Sequence, residues 1–119
     1  MDRRAAALVA IGGAAGAVSR HAVAVVFPAS FPWGTLFVNV VGSFLLGILV
    51  YGADRNGALT ERTRLVVSTG FVSSFTTYSA FAAETAGLDP RVAALNVVGT
   101  YALGLSAVVA AAGVVRWRL

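Results

Sequence analysis

The chain has 119 residues, of which 58% are hydrophobic and only 12% are charged, and its mean hydropathy is +0.82. A soluble domain carries about twice that share of charged residues, so length and composition predict a single domain, residues 1–119, inside a membrane. Cysteine is absent and His21 is the only histidine, which excludes disulfides, thiolate metal sites, cysteine nucleophiles and histidine clusters.

The basic residues are distributed as in a membrane protein. All nine are arginines, the net charge is +4, and all but Arg20 sit at or beyond the ends of apolar runs. Membrane proteins place positive charge at such positions, and no basic face is left for a nucleic acid. We therefore expect a lipid bilayer around the chain and no nucleic-acid partner.

Four apolar runs are long enough to cross a membrane, because a bilayer core of about 30 Å takes about 20 helical residues. Gly87 is expected to end the third run, with Asp89 as N-cap and Pro90 as first residue of the fourth helix. The predicted fold class is an all-α membrane protein with four transmembrane helices. The approximate spans are residues 5–27, 33–53, 65–86 and 92–115.

The start of the first span combines arginines with small residues. Gly12 and Gly16 have the GxxxG spacing, which lets helices approach closely, either within the chain or between two chains. The N-terminus resembles a signal peptide, but its apolar run continues past the usual length as far as Arg20, so we expect no cleavage. Four helices enclose little polar pathway on their own, and we therefore expect an oligomer.

Ionisable groups at membrane depth are few, and such groups are expensive there unless they serve a function. Arg20 is either a vestibule charge that draws anions in or an interfacial side chain that snorkels to the surface. His21 is expected to be interfacial. Glu84, near the end of span three, either pairs with a polar group of a neighbouring helix or lies at a solvated helix end.

Span two places several polar or small residues on one helical face. Thr35, Asn39, Gly42 and Ser43 are spaced i, i+4, i+7 and i+8 within the run WGTLFVNVVGSFLLG. Asn39 is near the middle of the span, and its amide offers two donors and an acceptor. It serves either a polar pathway or a hydrogen bond between helices. Span four carries a similar stripe, which includes Asn96.

Span three concentrates hydroxyl groups in the stretch GFVSSFTTYSAF, residues 70–81. Six of the seven residues from Ser73 to Ser79 carry one. Unwound backbone needs such side chains, and membranes tolerate it only inside protein or beside a water-filled cavity. We predict two half-helices joined by an unwound stretch near residues 73–77, offering carbonyls to a cation and helix N-termini to anions. The alternative is a continuous helix whose serines bond back to carbonyls four residues earlier.

The arginines also predict the orientation of the chain. Seven of them precede span one, lie between spans two and three or follow span four, and these places share one side of the membrane. The other side has Arg91 alone. Because positive residues favour the cytoplasmic side, both termini are predicted to be cytoplasmic. The seven are Arg3, Arg4, Arg55, Arg62, Arg64, Arg116 and Arg118.

Three motifs in chain order resemble those of the Fluc/CrcB family of small bacterial fluoride channels. GGAAGAVSRH resembles the first-helix motif of the family, GTLFVNVVGSFLLG its second-helix motif with asparagine, and GFVSSFTTYSAF its third-helix motif. The resemblance covers nearly the whole chain. It implies a passive channel of the bacterial inner membrane, not an enzyme, which exports fluoride from the cytoplasm and relieves fluoride toxicity.

The resemblance also implies an assembly and a site. The assembly is an antiparallel dimer of four-helix subunits with two fluoride pores and a structural Na⁺ at its centre. Backbone carbonyls of Ser73 and Thr76 would hold the Na⁺, and Arg20 would lie in the vestibule. Asn39 would be the pore amide, and Tyr78 and Phe81 would present electropositive ring edges to fluoride. The pore-lining set is Asn39, Ser43, Thr77, Tyr78, Ser79, Phe81 and Tyr101.

The sequence departs from the family pattern at the break and at the rings. Ser73 and Ser74 replace two glycines, Ala80 replaces a threonine, and His21 replaces a tyrosine. Tyr78 replaces a phenylalanine and adds a hydroxyl, which would either bind fluoride or block its passage. Together with the uneven arginine count, these changes favour a heterodimer with an oppositely oriented homologue over a homodimer, since a homodimer must insert both ways.

Two other functions fit parts of the sequence. A small dual-topology drug/proton antiporter would explain the size and the four spans, but it needs a carboxylate deep in span one, where no acid follows Asp2. A non-conducting accessory membrane subunit would explain the packing glycines but neither the hydroxyl run nor Asn39.

Overall fold

The computed structural model describes residues 2–28, 30–56 and 60–118, which are helical almost throughout and contain no strand. The helices follow one another with short connections. A π-helical segment, Leu65–Val72, begins the third predicted span, and two α-helical pieces follow it. The α-helices are α1 (Arg3–Val26), α2 (Trp33–Asn56), α3 (Glu61–Arg64), α4 (Ser73–Phe75), α5 (Tyr78–Ala86) and α6 (Pro90–Arg118).

Three helices in the described part of the chain are long and apolar enough to cross a membrane. They are α1, α2 as far as Gly52, and α6 as far as Trp117. The 24 residues of α1 make it about 36 Å long, which exceeds a hydrocarbon core of about 30 Å. The first, second and fourth expected spans thus coincide with long helices. The third, residues 65–86, consists of shorter pieces.

Local sequence explains where the helices begin and end. The Asp2 carboxylate accepts a hydrogen bond of 2.7 Å from the Ala5 N–H and caps α1. At the start of α6, the Arg91 N–H donates to Asp89 Oδ1 at 3.0 Å and Pro90 is the first helical residue. This is the predicted arrangement. The predicted end of α5 is also confirmed, since Gly87 caps it.

The predicted break in the third span is confirmed, but it is shorter than the predicted stretch near residues 73–77, because Ser73–Phe75 still form a helical turn, α4. Thr76 and Thr77 both have extended backbone angles, and they separate α4 from α5. The alternative of a continuous helix is therefore wrong, although the back-bonding it invoked does occur before the break. Ser73 Oγ donates to the Thr69 carbonyl, and Thr76 Oγ1 donates to the Val72 carbonyl at 2.9 Å. The hydroxyls satisfy carbonyls of the first half while the chain unwinds after it.

The helices pack in two principal pairs. α1 lies against the π-helical segment and α4, and α2 lies against α6. Glycines bring the first pair together: a Cβ on Gly70 would lie 2.8 Å from the Val9 carbonyl oxygen and 2.9 Å from Gly12 Cα. A Cβ on Gly16 would overlap the Phe71 carbonyl oxygen. The backbones therefore touch directly, as glycine permits between helices in lipid.

Much of the apolar surface faces outward. Val18 is 70% exposed on α1 and Val109 is 72% exposed on α6. An interior this small with such apolar outer faces is what a bilayer requires, since lipid can cover those faces. The buried apolar side chains are Val38, Val72, Phe75, Phe81, Ala111 and Val115, and the buried polar side chain among the described residues is Asn96.

Candidate functional site

The Asn39 amide bridges the helix break with two hydrogen bonds. Its Nδ2 donates to the Thr77 carbonyl at 3.0 Å, and its Oδ1 accepts from the Thr77 N–H at 2.8 Å. This pairing gives the unwound residue the partners that a helix would have supplied. A carboxamide has two N–H donors, so one N–H remains beyond the bond to Thr77.

The break releases two carbonyls that a continuous helix would have used. The Thr77 N–H, which would meet the Ser73 carbonyl, turns to Asn39 instead. The Ala80 N–H, which would meet the Thr76 carbonyl, donates to Thr77 Oγ1 at 3.1 Å. Ser73 and Thr76 are the two residues whose carbonyls the family resemblance assigns to Na⁺. Each of these carbonyl oxygens has lost the N–H that would bind it in a continuous helix. Unwound helices in membranes offer carbonyl oxygens of this kind to Na⁺.

Arg20 lies at the break. Its Nε donates to the Ser74 carbonyl at 3.1 Å, and the contact is partly buried. The guanidinium therefore satisfies a carbonyl at the end of α4 and brings a fixed positive charge from α1 to the unwound stretch. His21, the next residue, is exposed. Sequence reasoning placed Arg20 late in span one but did not identify this contact.

A cavity of about 360 Å³ opens beside the break, between α2, α5 and α6. Six of the seven residues in the predicted pore-lining set lie on its wall. The exception is Ser79, which is exposed and whose hydroxyl lies 3.4 Å from Thr77 Oγ1. The structure thus brings the predicted residues together. The six are Asn39, Ser43, Thr77, Tyr78, Phe81 and Tyr101.

Three aromatic rings meet at this cavity. The Phe81 ring lies 5.9 Å from the Tyr78 ring and 6.1 Å from the Tyr101 ring, which it meets edge to face at 84°. Phe81 is only 7% exposed, whereas Tyr78 is 73% exposed. Ring edges carry partial positive charge. The fixed ring is therefore Phe81, and the two tyrosines stand at the open side.

The hydroxyls around the cavity are not equally able to donate to an anion. Ser43 Oγ already donates to the Asn39 carbonyl at 2.8 Å, and Thr76 donates to Val72. Thr77 Oγ1 accepts from Ala80, so its own hydrogen is directed elsewhere, toward Ser79 or toward a ligand. A hydroxyl has a single proton. Thr77 is therefore better placed than Ser43 to donate.

A second polar contact lies near the far end of α5. Thr35 Oγ1 donates to Glu84 Oε1 at 2.8 Å, beside another cavity of about 360 Å³ lined by both residues. Glu84 thus pairs with a neighbouring helix, as one of its two alternatives had it, and it is also exposed near the end of α5, as the other had it. Sequence reasoning placed Asn96 in the polar stripe of span four but missed its partner Thr85, because their contact depends on how α5 lies on α6.

Taken together, long apolar helices, an interrupted helix and a cavity at the interruption, lined by an amide, hydroxyls and aromatic rings among apolar side chains, define a helical membrane protein with a candidate site at the interruption. The family model described as CrcB-like protein, Camphor Resistance (CrcB), matches residues 7–114. The chain belongs to this family.

Several relatives are similar over most of the chain. The protein named Fluoride-specific ion channel FluC 1 of Natronomonas pharaonis is 65% identical over 118 residues, which is 99% of each chain. FluC 1 of Haloarcula marismortui is 54% identical, with 92% of this chain and 84% of that protein covered. FluC 2 of Halobacterium salinarum is 49% identical, with 91% and 84% covered.

Proposed function

We propose that the chain is a subunit of a fluoride-selective channel, and not an enzyme, that lets fluoride leave the cytoplasm passively and so relieves its toxicity. The observation that carries this proposal is the cavity at the break, where an amide, a hydroxyl and ring edges converge. The names of its relatives, Fluoride-specific ion channel FluC, support the choice of ion.

The chemistry of the cavity suits a small anion. Fluoride is strongly hydrated, and a pore must replace the lost water with donors or positive edges, because burying an unpaired charge is costly. The second N–H of Asn39 and the hydroxyl of Thr77 are donors on residues that line the same cavity as Phe81. The residues described along this cavity include no acidic side chain that would repel an anion.

We propose Na⁺ as a structural ion at the carbonyls of Ser73 and Thr76, whose helical donors are diverted. The cation would offset the carbonyl dipoles that the break exposes. Purification with N-methylglucamine in place of Na⁺ is then expected to lower the melting temperature, since a ligand that binds only the folded state stabilises it. An unchanged melting temperature over a wide Na⁺ range would contradict this assignment.

The proposed assembly is an antiparallel pair of subunits, each crossing the bacterial inner membrane four times. In each subunit, α1, α2 and α6 are complete crossings of the membrane. The segment from α3 to α5 is the remaining crossing, which the break interrupts. Seven arginines against one fix the orientation of this chain, with both termini in the cytoplasm. The partner in a heterodimer would be a homologue with opposite orientation. The numbers in the names FluC 1 and FluC 2 fit paired subunits.

Fluoride efflux from liposomes tests the channel itself. The purified chain is reconstituted alone and with a candidate partner homologue, and efflux is followed with a fluoride electrode, with chloride as the control anion. The heterodimer proposal expects fast fluoride-selective efflux only with the partner. Fast efflux from the chain alone would support the channel and contradict the need for a partner. Equal chloride and fluoride efflux would contradict fluoride selectivity.

Tagging the C-terminus tests the orientation independently of conduction. A tag detected by impermeant reagents is expected to be protected in intact cells and labelled only after permeabilisation, because the seven arginines hold that side in the cytoplasm. Labelling of a comparable share of the tags in intact cells would show both orientations and favour a homodimer.

A further inference from the structure

Asn96 is the most deeply buried polar side chain among the described residues, with 2% of its surface exposed. Its Nδ2 donates to Thr85 Oγ1 at 2.8 Å, and its Oδ1 accepts a longer bond of 3.4 Å from Thr100 Oγ1. Neither Asn96 nor Thr85 is among the residues on the wall of the cavity at the break. The amide therefore acts between helices and does not touch the cavity.

The hydrogen bonds of Asn96 continue to the backbone of Phe81. Thr85 Oγ1 donates to the Phe81 carbonyl at 2.6 Å. The Thr85 hydroxyl has one proton and donates it to the Phe81 carbonyl. In the hydrogen bond between Thr85 and Asn96, the Asn96 amide must therefore be the donor. The donors thus point in one direction, from α6 through Thr85 to the carbonyl of the buried ring residue, and bonds in such a chain polarise one another.

The same part of α6 also supplies a neighbour of the Phe81 ring. Tyr101, the residue after Thr100, meets the Phe81 ring edge to face at 6.1 Å. α5 has only nine residues, and the break separates it from α4. Its start is tied to α2 through Asn39 and Thr77, and Glu84 near its end accepts a hydrogen bond from Thr35 of α2. The link from Asn96 to Thr85, one turn beyond Phe81, is the polar tie of this half-helix to α6.

We propose that Asn96 and Thr85 are positioning residues that set the place of the Phe81 ring in the ion pathway. The inference rests on the proposed function, in which the Phe81 ring edge faces fluoride. Losing the link lets α5 shift or rotate on α6, and the ring edge then leaves the position in which it replaces water around the ion. A tie that only strengthens folding would change how many channels form, not how well each conducts.

Unitary fluoride current in planar bilayers separates these two roles, using the assembly that conducts in the efflux experiment. We expect Thr85→Val to lower the current per channel by about tenfold, the scale of one lost buried hydrogen bond. Asn96→Leu should do the same, and the double variant should be no worse than either, because both remove one link. Thr85→Ser keeps the hydroxyl and should conduct like the parent.

Ser106→Ala is the matched control on α6. Its hydroxyl is exposed and donates only to the Ala102 carbonyl of its own helix, at 2.7 Å, so current per channel should not change. Fewer channels with an unchanged unitary current in Thr85→Val would overturn the positioning role. Additive losses in the double variant would also overturn it, because the two residues would then act separately.

A fluorine NMR signal from para-fluorophenylalanine at position 81 tests the inference without any conduction. Thr85→Val and Asn96→Leu are expected to shift or broaden the resonance in the same way, and Thr85→Ser and Ser106→Ala are expected to leave it in place. An unmoved resonance in Thr85→Val would overturn the inference. If the parent channel carries no fluoride yet the resonance moves as expected, the proposed function fails while the positioning of Phe81 stands.

Discussion

The two halves of the broken span are held by opposite means. The first half, residues 65–75, lies against α1 through glycines, and backbone touches backbone at Gly16 and Gly70. The second half, Tyr78–Ala86, is tied through polar side chains, with Asn39 at its start and Asn96 beyond its middle. The packing of the first half depends on glycines, which have no side chain. The packing of the second half depends on the direction of polar side chains.

This difference matches what each half has to do. Close backbone packing gives many weak contacts with no directional preference, and it fixes the first half as a support. Hydrogen bonds depend strongly on angle, so the ties of the second half fix its rotation as well as its distance. Rotation matters there because the Phe81 ring and the Thr77 hydroxyl belong to the cavity wall.

Gly16→Val should break the support and give the largest effect. A Cβ on Gly16 would overlap the Phe71 carbonyl and lie 3.1 Å from the Phe75 N. Backbone cannot move aside as a flexible side chain can, so the loss should reach about 3 kcal/mol of unfolding free energy, the upper end of usual overpacking costs. The measurement is equilibrium unfolding in detergent, with size-exclusion profiles to detect misassembly.

Gly113→Ala is the control for that substitution, because a Cβ there meets no atom within 4 Å in the described part of the chain. Alanine is the better helix former by up to about 1 kcal/mol, so stability should hold or rise. Equal losses from Gly16→Val and Gly113→Ala would show that the backbone contact between α1 and the first half is not what stabilises it.

Asn39→Leu should loosen the second half and have an intermediate effect on stability. It leaves the Thr77 N–H and carbonyl without their partners, at a cost of about 1–3 kcal/mol. Hydrogen exchange at the Thr77 amide should rise with it, and fluoride conduction should be lost because the free N–H is also gone. Ser43→Ala, which removes a bond within α2 only, should cost less than about 1 kcal/mol. If hydrogen exchange at the Thr77 amide were unchanged in Asn39→Leu, Asn39 would not be the residue that stabilises the backbone at the break.

The break could be predicted from sequence because its cause is local. Six of the seven residues from 73 to 79 carry hydroxyls, and in a continuous membrane helix these would lie on all its faces, where they gain little. The break falls at Thr76 and Thr77. The polar residues Asn39 and Ser43 could be placed on one face for the same reason, since the period of a helix fixes it. Asp89 and Pro90 gave the start of α6.

Contacts between distant residues could not be predicted in this way. Arg20 and Ser74 are 54 positions apart, and Asn39 and Thr77 are 38 apart; no periodicity links such pairs. The family resemblance implied a pore role for Asn39, but nothing in the sequence showed that its amide bridges Thr77 and keeps one further N–H. Sequence reasoning also gave no indication of the π-helical segment, because the glycine contacts that accompany it join two separate spans.

Tyr78→Phe should give the smallest effect and sharpens the difference between the two rings of α5. Tyr78 is 73% exposed, and its hydroxyl makes no hydrogen bond within the described part of the chain. Because the ring remains, we expect fluoride current to change by less than about threefold, below the effect of one hydrogen bond. A rise would mean that the hydroxyl obstructs the ion, and a fall would mean that it donates to the ion. Phe81→Leu removes the buried ring edge and should lower the current more than Tyr78→Phe does. A larger loss from Tyr78→Phe would show that the exposed ring of Tyr78, not the buried ring of Phe81, matters more for conduction.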